Sequence, residues 1–468
     1  LASLRAELLE QLGPYGQEHL LRFWDELSQL EKMTLAMEIA RFDLGMLQSL
    51  GREPEANSNR RALVARAEPP AAIRLGATNQ FSAAQARQVG EAALRAGQVG
   101  AILVAGGQGT RLGMEHPKGM FPIGPVSRSS LFQILIEKLV AAHRRYGAPI
   151  PLFLMTSPAT HEETIEFLAA QGNFGLSNND LIVFSQGTMP AVDCETGRIL
   201  LASQARPALS PDGHGGVLAA LVEARGFETL RARGIEHLYY FQVDNPLANV
   251  CDPEFLGYHL LSRSELSTLA VAKRDPRDRV GNIVSIDGRL QIIEYSEFND
   301  LPDELIAGRA ADGALRLWAG NTAIHAFSVE FLERMSQSAA ALPLHRALKK
   351  VPFFDEDHQL IEPRSPNAYK FERFIFDLLP QAERSIVVEA DERSAFAPVK
   401  NAPGEPKDTP ESVQAQMIAL HSAWLRDAGA QLAENVAVEI RPTFALDAVE
   451  LREKLQPGLV VSRPTVFA

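Results

Sequence analysis

Residues 98–118 read QVGAILVAGGQGTRLGMEHPK, and the order of residue types in that stretch sets the class of fold. Val99–Ala105 is a short, almost wholly apolar run, the pattern of a strand buried on both faces. It breaks at once into a loop containing Gly106, Gly107, Gly109 and Gly113. Without Cβ atoms that loop can bend sharply and bring its backbone close to a ligand. Exposed N–H groups in such a loop suit phosphate oxygens. Arg111 and Lys118 would add positive charge to the same place. Two common phosphate motifs are excluded by spacing. The G-x-x-x-x-G-K-[ST] loop is absent, and Gly107, Gly109 and Gly113 give G-x-G-x-x-x-G rather than the dinucleotide spacing G-x-G-x-x-G.

Downstream, short runs rich in Val, Ile, Leu and Phe alternate with helical stretches, as in a mostly parallel sheet with crossover helices. The expected strands are 99–105, 151–156, 181–184, 238–243 and 268–273, and the expected helices 131–146, 161–171, 217–224, 254–261 and 370–379. Asp287-Gly288, centred in VSIDGRLQII, predicts a hairpin over 283–295 that interrupts the βα alternation. Upstream, Leu20, Leu21, Trp24, Leu27, Leu35, Ile39 and Met46 recur at helical spacing, and 51–80 reads as an irregular connector before a helix over 83–96. The tail offers one helix, 412–426, and short extended pieces at 436–440 and 459–461. The expected organisation is a helical N-terminal region (1–95), a Rossmann-like α/β core with a mostly parallel sheet (96–390), and a small α+β C-terminal domain (391–468).

Composition narrows the function. Lys+Arg of 46 against Asp+Glu of 58 leaves a net charge of −12, which argues against nucleic acid or an anionic membrane as a partner recognised through bulk charge. An anionic ligand must instead meet a local cluster of cations. Cys194 and Cys251 are too few for a disulfide framework or a zinc cage and fit a reducing compartment. The apolar runs fall far short of the ~20 residues a membrane helix needs. The opening Leu1-Ala2-Ser3 lacks the cationic and apolar regions of a secretory signal, so the expected compartment is the cytoplasm by default; the absence of a Met suggests that the true N-terminus is missing from the sequence.

Segment 98–138, with AGGQGTRLG and HPKGMFPIG, resembles the nucleotidyltransferase loop of the UDP-sugar pyrophosphorylase family, specifically its UDP-N-acetylglucosamine branch. The likeness continues in order at 186–190 (QGTMP), 211–216 (PDGHGG), 243–245 (VDN), 293–297 (IEYSE), 319–322 (AGNT), 370–377 (KFERFIFD) and 398–402 (PVKNA). It implies a nucleotidyltransferase fold and the joining of UTP to a hexose 1-phosphate, with N-acetylglucosamine 1-phosphate the expected sugar. The resemblance also assigns roles. Gly106, Gly107, Gly109, Arg111 and Lys118 would handle the triphosphate, and Gln186 with the loop bearing His214 and Gly215 would read uracil. Asp244 would hold Mg²⁺, and Asn245 beside it would bind substrate. Glu294 and Asn321 would bond the sugar, Phe376 would line its pocket, and Lys400 with Lys370 would take its phosphate.

Read without the resemblance, several of these residues have plainer accounts. Asp244 ends an apolar strand, HLYYFQV, and so stands at the carboxyl edge of a parallel sheet, where ligands of open α/β folds bind; a turn aspartate is the alternative. His214 could be a solvent-facing loop histidine, Phe376 a core residue and Lys400 a surface cation. His161 with Glu162 and Glu163 reads as a solvated helix start rather than a metal site. The resemblance itself divides here: the favoured branch more typically has Asn at this position and His214 is more like the glucose-specific branch, so glucose 1-phosphate or a broad sugar range stays as the alternative. A non-catalytic nucleotide-sugar sensor would be expected to lose Arg111, Lys118 or Asp244. A glycosyltransferase would more often carry an Asp-x-Asp pair. No enzyme nucleophile is needed, because the sugar phosphate is already anionic. The oligomeric state is left open.

Overall fold

The computed structural model describes residues 2–52, 62–298, 301–338 and 342–468. Part of the connector expected over 51–80 lies outside those residues; its later part carries a two-residue strand, Ala72–Ile73. By packing, the chain divides into two units that do not follow the three consecutive stretches expected. One comprises 1–60, 186–216 and 342–375, and the other 61–185, 217–341 and 376–468.

The larger unit is built on the strand that leads into the glycine loop. Val99–Val104 pairs in parallel with Leu152–Thr156 on one side and with His237–Gln242 on the other, and Leu181–Ser185 extends the first side in parallel. Beyond His237–Gln242 the long strand Ala319–Ser328 runs antiparallel, followed by Leu266–Ala272, Ser385–Ala390 and Ala72–Ile73, the last three mutually parallel. The sheet is therefore mostly parallel, as expected. Residues on both faces of its central strands are buried, among them Ala101, Leu103, Tyr239, Tyr240 and Phe241, which is why these runs are apolar without alternation. A large apolar side chain such as Leu103 or Phe241 contributes roughly 1.5–3 kcal/mol by leaving water.

Connections follow local chemistry. The Leu131–Tyr146 helix starts at Ser130, whose side chain accepts from the Gln133 N–H, and ends at Gly147 with φ 77°. Asp287 and Gly288, at φ 52° and 78°, turn the Asn282–Ile286 and Arg289–Ile293 strands into the expected hairpin. The tail has its own small core of Leu425, Val438, Ile440, Leu451 and Val461 around the Pro410–Asp427 helix. It belongs to the larger unit, tied there by an ion pair of Arg441 with Glu137 and by the Glu439 carboxylate, which accepts the Val126 and Ser127 N–H groups at 2.9 and 2.7 Å.

In the smaller unit, Leu12, Leu20, Trp24, Leu35 and Ile39 from the N-terminal helices share one core with Met189, Val192, Ile199, Leu201 and Phe371. That shared core is why the N-terminal region groups with 186–216 rather than standing alone. Gln17 accepts the Ile199 N–H at 2.9 Å and donates to the Gly197 carbonyl at 2.9 Å.

One expected element is wrong. The helix predicted over 370–379 is a strand, Ala368–Glu372, followed by a 3₁₀ segment, Ile375–Gln381. The strand pairs antiparallel with His345–Lys349 and with Val192–Asp193. Its apolar spacing fits a helix as well as a strand, and the partners that decide between them are distant in the chain.

Candidate active site

Because Val99–Val104 and His237–Gln242 are parallel neighbours, the segments that follow them leave the sheet side by side at its carboxyl edge. The Val243 N–H donates to the Val104 carbonyl at 3.0 Å. One segment is the glycine loop and the other carries Asp244. The chain passes from 99–104 outward to 152–156 and 181–185 and returns at 237–242, so this edge is also the switch point where open α/β sheets bind ligands.

The loop is folded on itself. The Gly109 N–H donates to the His116 carbonyl at 2.8 Å, the Lys118 N–H to the Gly107 carbonyl at 3.0 Å, and Ser157 Oγ to the Gly106 carbonyl at 2.7 Å. These bonds bring Lys118 back over the strand end. Its Nζ lies 3.8 Å from Asp244 Oδ2, both side chains being mostly covered, at 17% and 16% exposure. Burial pulls the Lys118 pKa down, Asp244 opposes the shift, and Lys400 and Arg111 add to it by repulsion. Three cations thus share a field with the Asp244 carboxylate, and Asp408 interacts with both Lys400 and Asp244.

Lys400 arrives on a segment tied to the same strand end. The Val399 N–H donates to the Asp244 carbonyl at 2.8 Å, and the Lys400 and Asn401 N–H groups converge on the Asp408 carbonyl at 2.8 and 3.0 Å. Asn245 makes the splice. Its Oδ1 accepts from the Leu247 and Ala397 N–H groups at 3.2 and 3.0 Å, and its Nδ2 donates to the Ala395 carbonyl at 2.9 Å. This buried amide joins loop to loop.

Asp244 supplies one carboxylate, and among the described residues no group of three or more His, Cys, Asp or Glu could enclose a metal. Mg²⁺ is commonly held by one or two carboxylates, with phosphate oxygens and water completing its shell. Asp408, within electrostatic reach of both Lys400 and Asp244, is a second carboxylate near these cations, and one or two carboxylates fit that kind of site and not a protein-only cage. His161 is engaged elsewhere, its Nδ1 2.7 Å from Thr156 Oγ1.

On the same unit, Glu294 follows the Arg289–Ile293 strand and Asn321 lies near the start of Ala319–Ser328. A Cβ placed on Gly281 would sit 2.9 Å from Ile292 Cγ2, 3.0 Å from Glu294 Oε1 and 3.6 Å from Asn321 Cβ, so Glu294 and Asn321 lie on either side of the same glycine. Phe376 is buried.

The remaining candidates belong to the smaller unit. The Thr188–Pro190 and Leu209–Pro211 strands pair and set Gln186-Gly187 beside the 212–216 loop, with the Asp212 N–H donating to the Gly187 carbonyl at 3.1 Å. The loop is locked to Arg373: its N–H donates to the Asp212 carbonyl at 2.7 Å, and its carbonyl accepts the Gly215 N–H at 2.8 Å. His214 Nδ1 accepts from the Ile375 N–H at 3.3 Å, and its ring stacks on Phe374 at 5.3 Å. Burial, with a smaller repulsion from His345, pushes the His214 pKa down to about 4, so the ring is neutral at neutral pH. Lys370 is half-buried on the strand that replaced the expected helix.

Sequence reasoning missed Asp212, Phe374 and Lys138. The first two lie inside the quoted segments 211–216 and 370–377, with no role of their own assigned. Lys138, on the Leu131–Tyr146 helix, carried no signal beyond being a cation on an otherwise apolar face.

Among known proteins, the model of the UDPGP family, described as UTP--glucose-1-phosphate uridylyltransferase, matches residues 56–447. The chain is 34% identical over 446 residues to UDP-N-acetylhexosamine pyrophosphorylase-like protein 1 of Xenopus tropicalis, covering 92% of this chain and 86% of that protein. It is 34% identical over 441 residues to UDP-N-acetylglucosamine pyrophosphorylase of Saccharomyces cerevisiae, covering 91% and 92%. The crystal structure of the uridine diphosphate N-acetylglucosamine pyrophosphorylase from Trypanosoma brucei, in complex with inhibitor, superposes with a TM-score of 0.79 at 25% identity, covering 99% of this chain and 98% of that one. A nucleotidyltransferase edge on a mostly parallel sheet, and a family match across most of the chain, lead to one conclusion: this chain belongs to the UDPGP family of uridylyltransferases.

Proposed function

We propose that this protein joins UTP to N-acetylglucosamine 1-phosphate, releasing pyrophosphate and forming UDP-N-acetylglucosamine. The observation that carries the reading is the cluster of Lys118, Arg111 and Lys400 about Asp244 at the carboxyl edge of the sheet. Relatives named for N-acetylated sugars support the choice of sugar.

In this reading a phosphate oxygen of the sugar phosphate attacks the α-phosphorus of UTP in line, the bond to the β-phosphate oxygen breaks, and pyrophosphate departs. Two polyanions must be held together, so the protein's contribution is alignment and fixed positive charge. Arg111, Lys118 and the loop N–H groups around Gly106, Gly107 and Gly109 hold the triphosphate and then the leaving pyrophosphate. Lys400 and Lys370 hold the sugar phosphate. Asp244 is the residue that would hold Mg²⁺, which when bound supplies further neutralisation of phosphate charge. Gln186 offers a donor and an acceptor to the imide edge of uracil, with the loop of His214 and Gly215 against the ring. Glu294 and Asn321 bond the sugar, and Phe376 lines the acetyl side. Asn245 acts through the backbone it splices.

His214 is the observation that favours glucose 1-phosphate as the substrate instead. Pyrophosphate release by the purified protein with UTP and Mg²⁺, compared across N-acetylglucosamine, N-acetylgalactosamine and glucose 1-phosphates, tests the proposal. An N-acetylglucosamine preference supports it, and a glucose preference overturns the sugar assignment while leaving the chemistry. No helix among the described residues is long and apolar enough to cross a membrane, and two thiols without a disulfide accord with the cytoplasm.

A further inference from the structure

The loop 244–249 has two sides. One carries Asp244 and, through Asn245 and the Asp244 carbonyl, holds the 395–399 segment that leads into Lys400. The other side turns its carbonyls inward. Lys138 Nζ donates to the Pro246 carbonyl at 2.7 Å and to the Ala248 carbonyl at 2.7 Å, and Tyr239 Oη donates to the Asn249 carbonyl at 2.8 Å. Two carbonyl oxygens aimed at one point repel each other, and an ammonium between them converts that repulsion into attraction. Pro246 has no N–H and so cannot help tie down this backbone from the donor side.

We propose that Lys138 is a positioning residue for uridylyl transfer: by clamping the Pro246 and Ala248 carbonyls it fixes the loop from which both Asp244 and the Lys400 segment hang. The proposal rests on the roles given above to Asp244 and Lys400. The clamp is rigid at its root, because Lys138 stands on the Leu131–Tyr146 helix between buried Glu137 and Leu139, and Glu137 is itself paired with Arg441. Burial pushes the Lys138 pKa down to about 7, and the two carbonyls pull in the opposite direction by favouring the charged form. Lys138 also lines a cavity of about 340 Å³, which gives a substituted side chain room without forcing the helix away.

The test uses the full chain with Lys138→Met, which keeps the length and removes the donors, and Lys138→Arg, whose forked donors can span two carbonyls. Hydrogen exchange of the metal-free protein should show faster exchange in Lys138→Met confined to peptides covering 243–250 and 395–401. Turnover should fall roughly tenfold to 10²-fold through kcat with KM for UTP little changed, the mark of misplaced catalytic groups. The Mg²⁺ concentration for half-maximal rate should rise, and Lys138→Arg should recover most of each effect. Unchanged exchange in both peptides, or a loss of activity with exchange raised across the whole sheet and no recovery by arginine, would overturn the proposal. Asp244→Asn, assayed in parallel, separates the two readings. If it leaves turnover and Mg²⁺ dependence intact, the role of Asp244 fails, while the exchange data still decide whether Lys138 holds the loop.

Discussion

Two glycine-rich loops that read alike in sequence are built for opposite reasons. In the 105–113 loop a Cβ on Gly107 would meet no protein atom within 4 Å. The fold does not require glycine there, so its smallness is available to a ligand. In the 211–216 loop a Cβ on Gly213, at φ 85°, would lie 2.5 Å from the Arg373 carbonyl oxygen and 2.8 Å from its nitrogen. There the protein's own backbone fills the space beside the missing Cβ. Gly107 faces open space beside the cations, whereas Gly213 is packed against backbone; Gly109, in the first loop, is itself close to the Met114 and His116 carbonyls, so the contrast belongs to positions and not to whole loops. A glycine count cannot separate them, because it records a missing Cβ and not what fills its place.

The largest effect should come from the charged side of that comparison. Lys118→Ala is expected to lower turnover by roughly 10²–10³, the usual loss of one preorganised donor, with the melting curve nearly unchanged. Turnover within a few-fold of wild type would remove Lys118 from the site. Next, Gly213→Ala should destabilise the protein by about 1–3 kcal/mol or more, since overpacking adds to a strained left-handed backbone, whereas Gly107→Ala should stay within about 0.5 kcal/mol and raise KM for UTP. Denaturant midpoints for the pair break the comparison if both glycines prove equally costly, or equally harmless.

The smallest effect concerns His214 and acid. Its folded pKa of about 4 lies below the ordinary 6.5, so the neutral ring is favoured in the folded chain. The stability this contributes is fully present above pH 6.5 and is lost as pH falls toward 4. His214→Asn keeps an acceptor for the Ile375 N–H and does not titrate. Its melting temperature should therefore fall less than the wild type's between pH 7 and pH 5, by the equivalent of about 1–2 kcal/mol. Parallel pH slopes would mean that His214 is charged in the folded state or does not titrate in this range.

How far the sequence could be read follows from how local each signal is. The apolar strands at 99–104, 152–156 and 237–242 and the Asp287-Gly288 hairpin announce themselves within a few residues, and they are where they were expected. The 368–372 strand was taken for a helix because its pairing with 345–349 leaves no trace in its own spacing. Likewise Asp244 was marked by the strand it ends, but its approach to Lys118 needs the loop to fold back through the Gly107 carbonyl. Lys138 was invisible, since its partners are backbone carbonyls, which no residue name reveals.

Direct transfer at the cation cluster has a stereochemical signature. Turnover of the α-thio analogue of UTP of one configuration with N-acetylglucosamine 1-phosphate should give UDP-N-acetylglucosamine thio-analogue with the α-phosphorus inverted, as a single in-line displacement requires. Retention would demand a covalent uridylyl-enzyme and a nucleophile absent from this account, and would contradict it.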